Sequence, residues 1–390
     1  MSALAALPWR LLLWGAFGVA LHVGMARLAY GVVLPALRAE LVMGYTTGGV
    51  LNAIHLAGYL AGTLLGPALA RRVGMARLAR YAHVLVAVGA LLCALVPAAP
   101  GLGTALLGLG RLATGLGAGA AVIAIMVSVL SGVAEASRAS ASVLIWTGMA
   151  AAAVACGAAA PWLLEPGAWR LVFVAASVMA LVLAVGLPTP AAVPGDAAGG
   201  MHFTLASVAS HRWAWLVACY LCFGLGYIAA ATVAGTRLAA IQAPAALVAL
   251  TWSTLGLAML GGSLVTLALL ARPGLRSLAL PVAMGVAAVG SAVAAASGSV
   301  AALAGALGVG LGLAATPALV TAAARARSNA ADYARAFSIA TAAMGIGQLA
   351  GPVLAGALAD RFGSAAAPLF AAAAYALGAG LAVIDRRLAR

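Results

Sequence analysis

The sequence contains no lysine and few acids. All 21 basic residues are arginines, only seven residues are Asp or Glu, and charged residues make up 7% of the 390. A soluble domain typically carries about 25% charged residues. A single soluble core is therefore excluded, and the 65% hydrophobic content indicates an integral membrane protein.

Cysteines are also scarce, and all of them fall inside apolar runs, at Cys93, Cys156, Cys219 and Cys222. The last two have the spacing of half a zinc site, but such a site needs about four ligands and no second Cys/His pair is evident. We interpret all four as small buried side chains. No metal and no other cofactor is expected.

The excess of arginine does not indicate a nucleic-acid partner. The formal net charge is +14, but the arginines are scattered in small groups between apolar runs and form no basic domain. An enzyme is not expected either, because no catalytic triad, metal cluster or carboxylate pair stands out. No nucleotide-binding motif is present either.

Long apolar runs dominate the sequence. A bilayer core needs about 20 apolar residues per helix. By that length the chain is all-helical with twelve transmembrane helices, at about 10–34, 48–70, 77–97, 102–130, 139–160, 168–188, 212–236, 247–271, 276–297, 299–323, 333–357 and 365–385. The first run resembles a signal peptide, but it continues to Leu34, so we interpret it as an uncleaved first helix.

The arginines predict the orientation of these spans. With the N-terminus inside, fifteen arginines fall in cytoplasmic segments and four in outer loops, while Arg27 and Arg111 lie within spans. Cytoplasmic loops of membrane proteins carry such an excess. The sequence therefore predicts a multi-pass protein of the bacterial inner (plasma) membrane with both termini in the cytoplasm.

The longest hydrophilic break divides the spans six and six. This predicts an N-terminal six-helix bundle at 1–188, a cytoplasmic linker at 189–211 and a C-terminal six-helix bundle at 212–390. An offset of 200 residues places Gly24 on Gly224 and Arg27 on Tyr227. Parallel repeats of this kind are a transporter architecture.

Three local motifs resemble the major facilitator superfamily: Arg71-Arg72-Val-Gly74 after the second span, Arg111-Leu-Ala-Thr-Gly115 in the fourth, and Trp169-Arg170 opening the sixth. The resemblance covers the whole chain. It implies two six-helix bundles around a central cavity, with alternating access by rocking of the halves, and it makes Arg71, Arg72 and Gly74 candidates for a gating loop. The superfamily usually has an acid where Arg71 stands, so the usual charge relay of this loop is not expected.

Within the superfamily, further motifs are similar to the YbfB/YjiJ-like branch. They are Gly24-Met-Ala-Arg27-Leu-Ala-Tyr30, Asn52-x-x-His55-x-x-Gly58-Tyr59, Gly224-Leu-Gly226-Tyr227 and Gly347-Gln348-x-x-Gly351-Pro352. Two positions depart from the branch, which usually has Gly at Ala26 and Asn at His55. The resemblance implies transport without naming a substrate.

A second copy of the loop motif ends the eleventh span, as Gly356-Ala-Leu-Ala-Asp360-Arg361-Phe-Gly363. Our topology places it on the outer side, between the eleventh and twelfth spans, whereas the superfamily's loop motif is cytoplasmic. We interpret it as a helix-ending turn in which Gly363 is the C-cap and Asp360 pairs with Arg361 or another neighbour.

Polar residues inside the spans are the candidates for a substrate site. Arg27 lies about seven residues, or ~10 Å, from the outer end of its span, with Tyr30 on the same helical face. Asn52, His55 and Tyr59 form one polar stripe on the second span, level with Arg27. Arg111 has an overlapping depth in the fourth span, and Tyr227 and Gln348 are the candidates from the second half.

All seven acids fall in loops or at span ends. A proton-coupled exporter of cations usually needs a buried acid. We therefore hypothesise that Arg27 and Arg111 attract an anionic substrate and that His55 is a titratable neighbour, which allows anion–proton symport. The competing interpretation is that both arginines are structural and bind backbone carbonyls and Tyr or Asn oxygens. His22 and His83 are interpreted as packed histidines with satisfied nitrogens.

The sequence thus predicts a secondary active transporter for a small organic solute, expected to be anionic, with a proton as the candidate coupling ion. Its expected partners are that small-molecule substrate and the lipid bilayer, and the expected state is a monomer. An efflux carrier for neutral or amphipathic compounds is the alternative within transport. A non-transporting membrane receptor or scaffold is the alternative from another class.

Overall fold

A computed structural model describes residues 8–134, 137–186, 211–325 and 330–388. Every regular element in these ranges is helical, and we number twelve helices, which confirms the predicted fold class. They are α1 (Trp9–Leu41), α2 (Tyr45–Val73), α3 (Met75–Ala94), α4 (Leu102–Ser131), α5 (Arg138–Leu163), α6 (Arg170–Val185), α7 (His211–Ala240), α8 (Ala245–Leu270), α9 (Pro273–Ala294), α10 (Ser299–Arg325), α11 (Ala330–Phe362) and α12 (Ala366–Leu388).

Eleven of these helices are long and apolar enough to cross a membrane, and α6 is apolar but has only 16 residues. The predicted linker 189–211 lies, apart from its last residue, outside the described residues.

The short break predicted at 297–299 is confirmed, since α9 ends at Ala294 and α10 begins at Ser299. Gly298 between them has φ +113°, a value that only glycine adopts without strain.

The chain divides into two compact units. The first contains α1, α2 from Ile54 onward, and α3 to α6. The second contains Gly44–Ala53, which is the start of α2, together with α7 to α12. The four cysteines are buried free thiols in these units, as predicted.

Glycines bring α2 and α4 into backbone contact within the first unit. A Cβ atom on Gly58 or Gly62 would collide with the carbonyl oxygen of Leu112 or Leu116, and one on Gly115 would collide with that of His55. Small residues allow this close approach between membrane helices. The glycine pattern on these two spans is therefore a packing device.

The middle of α1 is a π-helix that covers nine residues, Ala20–Leu28, between two α-helical segments. It packs against α5, where a Cβ atom on Gly24 would collide with that of Ala152. Most π-helical segments are single turns and many occur at functional sites. Both His22 and Arg27 lie in this segment.

The Trp169-Arg170 motif has a structural explanation in the first unit. The indole Nε1–H of Trp169 donates to a Glu40 carboxylate oxygen at 2.6 Å. Arg170 forms an ion pair with the same carboxylate at 2.7 Å and donates to the Val96 carbonyl at 3.0 Å. The motif therefore connects the start of α6 to the end of α1 and to the segment that follows α3.

The motif at the end of α11 caps another helix. The Asp360 carboxylate accepts hydrogen bonds from the backbone N–H groups of Tyr45 and Thr46, each at 2.8 Å, and from the Thr46 hydroxyl at 2.6 Å. First-turn N–H groups have no partner within their own helix. The interpretation as a helix-ending turn is confirmed, since Gly363 has φ +86° and donates to Ala359. Asp360 therefore contacts the segment that begins at Tyr45, which is its neighbour in space and not in sequence.

Candidate functional site

Two pairs of a cation and an aromatic ring lie in the first unit. The Arg27 guanidinium carbon is 5.7 Å from the centre of the Tyr59 ring, and that of Arg111 is 4.3 Å from the centre of the Tyr30 ring. Both distances lie within the range of cation–π attraction. Arg111 is fully buried and Arg27 is 7% exposed. The structure thus brings four of the predicted site residues into two contacts.

Arg111 makes the contacts that a structural role requires. Its Nη1 donates to the Ala26 carbonyl in the π-helical segment, and its guanidinium lies over the buried ring of Tyr30. These contacts hold α4 against α1. They also hold the positive charge of Arg111 at the carbonyl of Ala26, the residue that precedes Arg27.

His55 is held in one orientation and one tautomer by α4. Its Nδ1 lies 3.2 Å from the Thr114 hydroxyl and 3.3 Å from the Arg111 carbonyl, and that hydroxyl itself donates to the carbonyl at 2.9 Å. The Thr114 hydroxyl oxygen and the Arg111 carbonyl oxygen therefore both accept a hydrogen bond from Nδ1, so we assign the proton to Nδ1. The other nitrogen, Nε2, is a bare acceptor that is buried and hydrogen-bonds to none of the described residues.

The electrostatic character of this cluster is positive. Arg27, Arg111 and His55 are all buried, whereas no carboxylate is among the buried side chains described for the first unit. Charges inside a membrane protein are costly and typically mark a substrate or ion pathway. We call Arg27, Tyr30, His55, Tyr59 and Arg111 the arginine cluster.

The remaining predicted site residues belong to the second unit. Asn52 donates from Nδ2 to the Thr232 hydroxyl of α7 at 2.6 Å. His55 and Tyr59, which lie on the same helix, instead contact residues of the first unit. Tyr227 is buried and stacks on Phe223 with 4.8 Å between ring centres. Gln348 is buried on α11.

The candidate gating loop is a single residue. Gly74 alone separates α2 from α3 and has φ +86°, while Arg71 and Arg72 are exposed in the last turn of α2. Cations at a helix C-terminus interact favourably with the helix dipole. The loop arginines therefore stabilise the end of α2.

A buried histidine pair was not predicted. His22 and His83 stack with 4.9 Å between ring centres, and Trp14 lies against His83 at 5.8 Å. His83 donates from Nδ1 to the Ala79 carbonyl at 2.6 Å, but its Nε2 and both nitrogens of His22 bond to none of the described residues. The prediction that both histidines are packed is confirmed. The prediction that their nitrogens are satisfied is wrong for three of the four nitrogens, as far as the described residues go. The two residues are far apart in the sequence, so no spacing signals the pair.

Solved structures of membrane transporters have a similar fold. The D-xylose-proton symporter matches with a TM-score of 0.77 and 16% identity, over 96% of this chain and 97% of that chain. The nucleoside transporter NupG matches with 0.72 and 11%, over 98% and 97%. A bacterial homologue of the human lysosomal transporter Spinster, inward-facing and unoccupied, matches with 0.68 and 16%, over 98% and 96%. The fold of this chain is therefore similar to the fold of these three proteins.

The family follows from the sequence itself. The profile described as "Uncharacterised MFS-type transporter YbfB" matches residues 19–384, so the chain belongs to this family of the major facilitator superfamily. The superfamily and the branch predicted from the motifs are both confirmed. No curated protein matches the sequence.

Proposed function

We propose that this transporter moves a small organic anion, coupled to a proton, across the bacterial inner membrane by alternating access, with both termini in the cytoplasm. The observation that carries the proposal is the arginine cluster, in which each arginine contacts a tyrosine and the imidazole of His55, bonded to the Arg111 carbonyl, has a bare, buried Nε2. The two arginines have different tasks. Arg111 is held in place by the Ala26 carbonyl, and its fixed positive charge attracts the anion without contacting it. Arg27, the more exposed of the two, contacts the anionic group.

Electrostatics couples the two ions in this proposal. Guanidinium charges repel a proton on His55, and the charge of a bound anion relieves that repulsion. The proton adds at Nε2, because Nδ1 already donates to Thr114 and the Arg111 carbonyl. Release of the anion restores the repulsion and expels the proton.

A thermal-shift screen of the purified protein tests the substrate class. Organic anions, sugars, nucleosides and drugs would be compared at an acidic and a neutral pH, with chloride at matched ionic strength as the control. We expect organic anions to raise the melting temperature, and to do so more at acidic pH, because a ligand that binds only the folded state stabilises it. Stabilisation only by neutral or cationic compounds would rule out the anion proposal.

Replacing His55 with asparagine should uncouple the proton. Asparagine can still hydrogen-bond to α4, but it has no basic nitrogen. In proteoliposomes with a trapped pH indicator, we expect proton uptake driven by the best anion of the screen to fall to the level of protein-free liposomes. Binding of the anion in the thermal-shift assay should persist. If the variant moves protons with the anion at the wild-type ratio, His55 is not the residue that carries the proton.

A further inference from the structure

The second unit contains an apolar cavity at the end where α7 and α9 finish and α8 and α10 begin. The space that atoms leave free there is about 700 Å³, a volume that includes open solvent. Its wall is made mainly of small aliphatic side chains from these four helices, such as Ala231, Leu255, Ala306 and Val309. Small-molecule pockets usually have mostly apolar walls with a few polar groups among them.

Three residues with an open hydrogen-bond donor, from three different helices, also line this cavity. Trp252 of α8 and Ser291 of α9 are each 1% exposed, and neither the indole Nε1–H nor the hydroxyl bonds to any described residue. Arg237 of α7 directs its Nη1 to Ser364 and its Nη2 to the Ala295 carbonyl, at 3.1 and 2.6 Å. Its buried Nε–H is likewise without a partner in the described part of the chain.

These three groups are all donors. An indole and a guanidinium can only donate hydrogen bonds, and a serine hydroxyl can donate one. Buried polar groups are normally hydrogen-bonded, so a set of open donors around one cavity indicates a missing acceptor. Arg237 adds a positive charge, which favours an acceptor that is itself an anion.

We propose that this cavity binds a small amphipathic acid, with its carboxylate on Trp252, Ser291 and Arg237 and its hydrocarbon body against the aliphatic wall. A carboxylate only accepts hydrogen bonds and carries the charge that complements Arg237. An alcohol with the same tail lacks that charge, and a quaternary ammonium is repelled by it. The site is lined only by residues of the second unit, and it does not depend on the function proposed for the arginine cluster.

Octanoate is the probe for this site, added to the purified full-length protein below its micellar concentration. Octan-1-ol and octyltrimethylammonium share its tail and are the head-group controls. We expect octanoate alone to raise the melting temperature in a saturable manner. Equal stabilisation by octan-1-ol and octanoate, or none by octanoate, would overturn the proposal.

Substitutions of the lining residues test whether octanoate binds in this cavity. Trp252→Phe and Ser291→Ala each remove one donor and should weaken octanoate binding about tenfold, since hydrogen bonds to charged groups are the strong ones. Arg237→Gln should weaken it further, and Ala306→Phe should abolish it by filling the space. Arg361→Gln is the matched control, because Arg361 is exposed and lies outside the lining. Octanoate binding that all four cavity variants retain at wild-type affinity would also overturn the proposal.

The source of the acid is resolved by a second measurement. Mass spectrometry of an organic extract would be run on the wild type and on Ala306→Phe, both purified without added ligand. A fatty acid retained only by the wild type identifies the bilayer as the source. Octanoate binding to a wild type that carries no such acid identifies a soluble carboxylate.

Discussion

Replacing Arg27 with glutamine is expected to reduce transport of the anion at least about 100-fold while leaving expression and the melting temperature of the unliganded protein nearly unchanged. The loss of one partner of a buried charge pair typically costs about 3–5 kcal/mol, and each 1.4 kcal/mol is a tenfold change in binding. The measurement is uptake into proteoliposomes together with the thermal shift caused by the anion. Arg27→Lys should retain part of the activity, because lysine keeps the charge but lacks the planar fork that lies over Tyr59.

Two further variants separate a substrate contact from a structural one. Arg111→Gln removes the bond to the Ala26 carbonyl and the contact with Tyr30, so it should lower the melting temperature of the unliganded protein as well as transport. Arg361→Gln, at an exposed position on α11, should change neither quantity. Wild-type uptake by Arg27→Gln would remove Arg27 from the substrate site.

Adding a single methyl group at Gly115 is expected to destabilise the protein by about 2–3 kcal/mol, near the upper end for overpacked cores. The new Cβ atom would collide with the carbonyl oxygen of His55, and backbone on both helices leaves no flexible side chain to move aside. Helices α2 and α4 would have to separate, which also shifts the Nδ1 contacts of His55. Gly115→Ala should therefore lower both the melting temperature and the anion response.

The matched control is the same substitution at Gly285, within α9. A Cβ atom there meets nothing within 4 Å. Alanine is favoured over glycine in a helix by about 0.5–1 kcal/mol, so Gly285→Ala should be neutral or slightly stabilising. The two variants would be compared by thermal unfolding and by size-exclusion profile. Equal stability of both would show that the glycine contact between α2 and α4 is unimportant.

Several features could be predicted from the sequence because their causes are local. The number and approximate limits of the helices follow from the length of apolar chain that a bilayer requires. Gly363 was identified as a helix end from its residue type. The family was recognised from short motifs, such as those around Arg27 and Arg111, and the match over residues 19–384 confirms it.

Other features depend on which side chains meet after the helices pack. The π-helical segment of α1 is one of these. The α-helical and π-helical hydrogen-bond patterns differ little in free energy, so packing against α5 selects between them. The stack of His22 on His83 joins residues from separate helices. The same is true of Asp360, which caps a segment that begins at Tyr45.

By itself, then, the sequence predicted a membrane transporter with twelve spans, and with arginines and a histidine inside them, because hydropathy and motifs are properties of contiguous residues. Only the tertiary structure decided what those residues contact: Arg111 on the Ala26 carbonyl, Arg27 over Tyr59, and His55 with a bare Nε2. It also brought Arg237, Trp252 and Ser291 to one cavity. Hydrogen-bond partners and cavities arise from distances between helices, which no local pattern encodes.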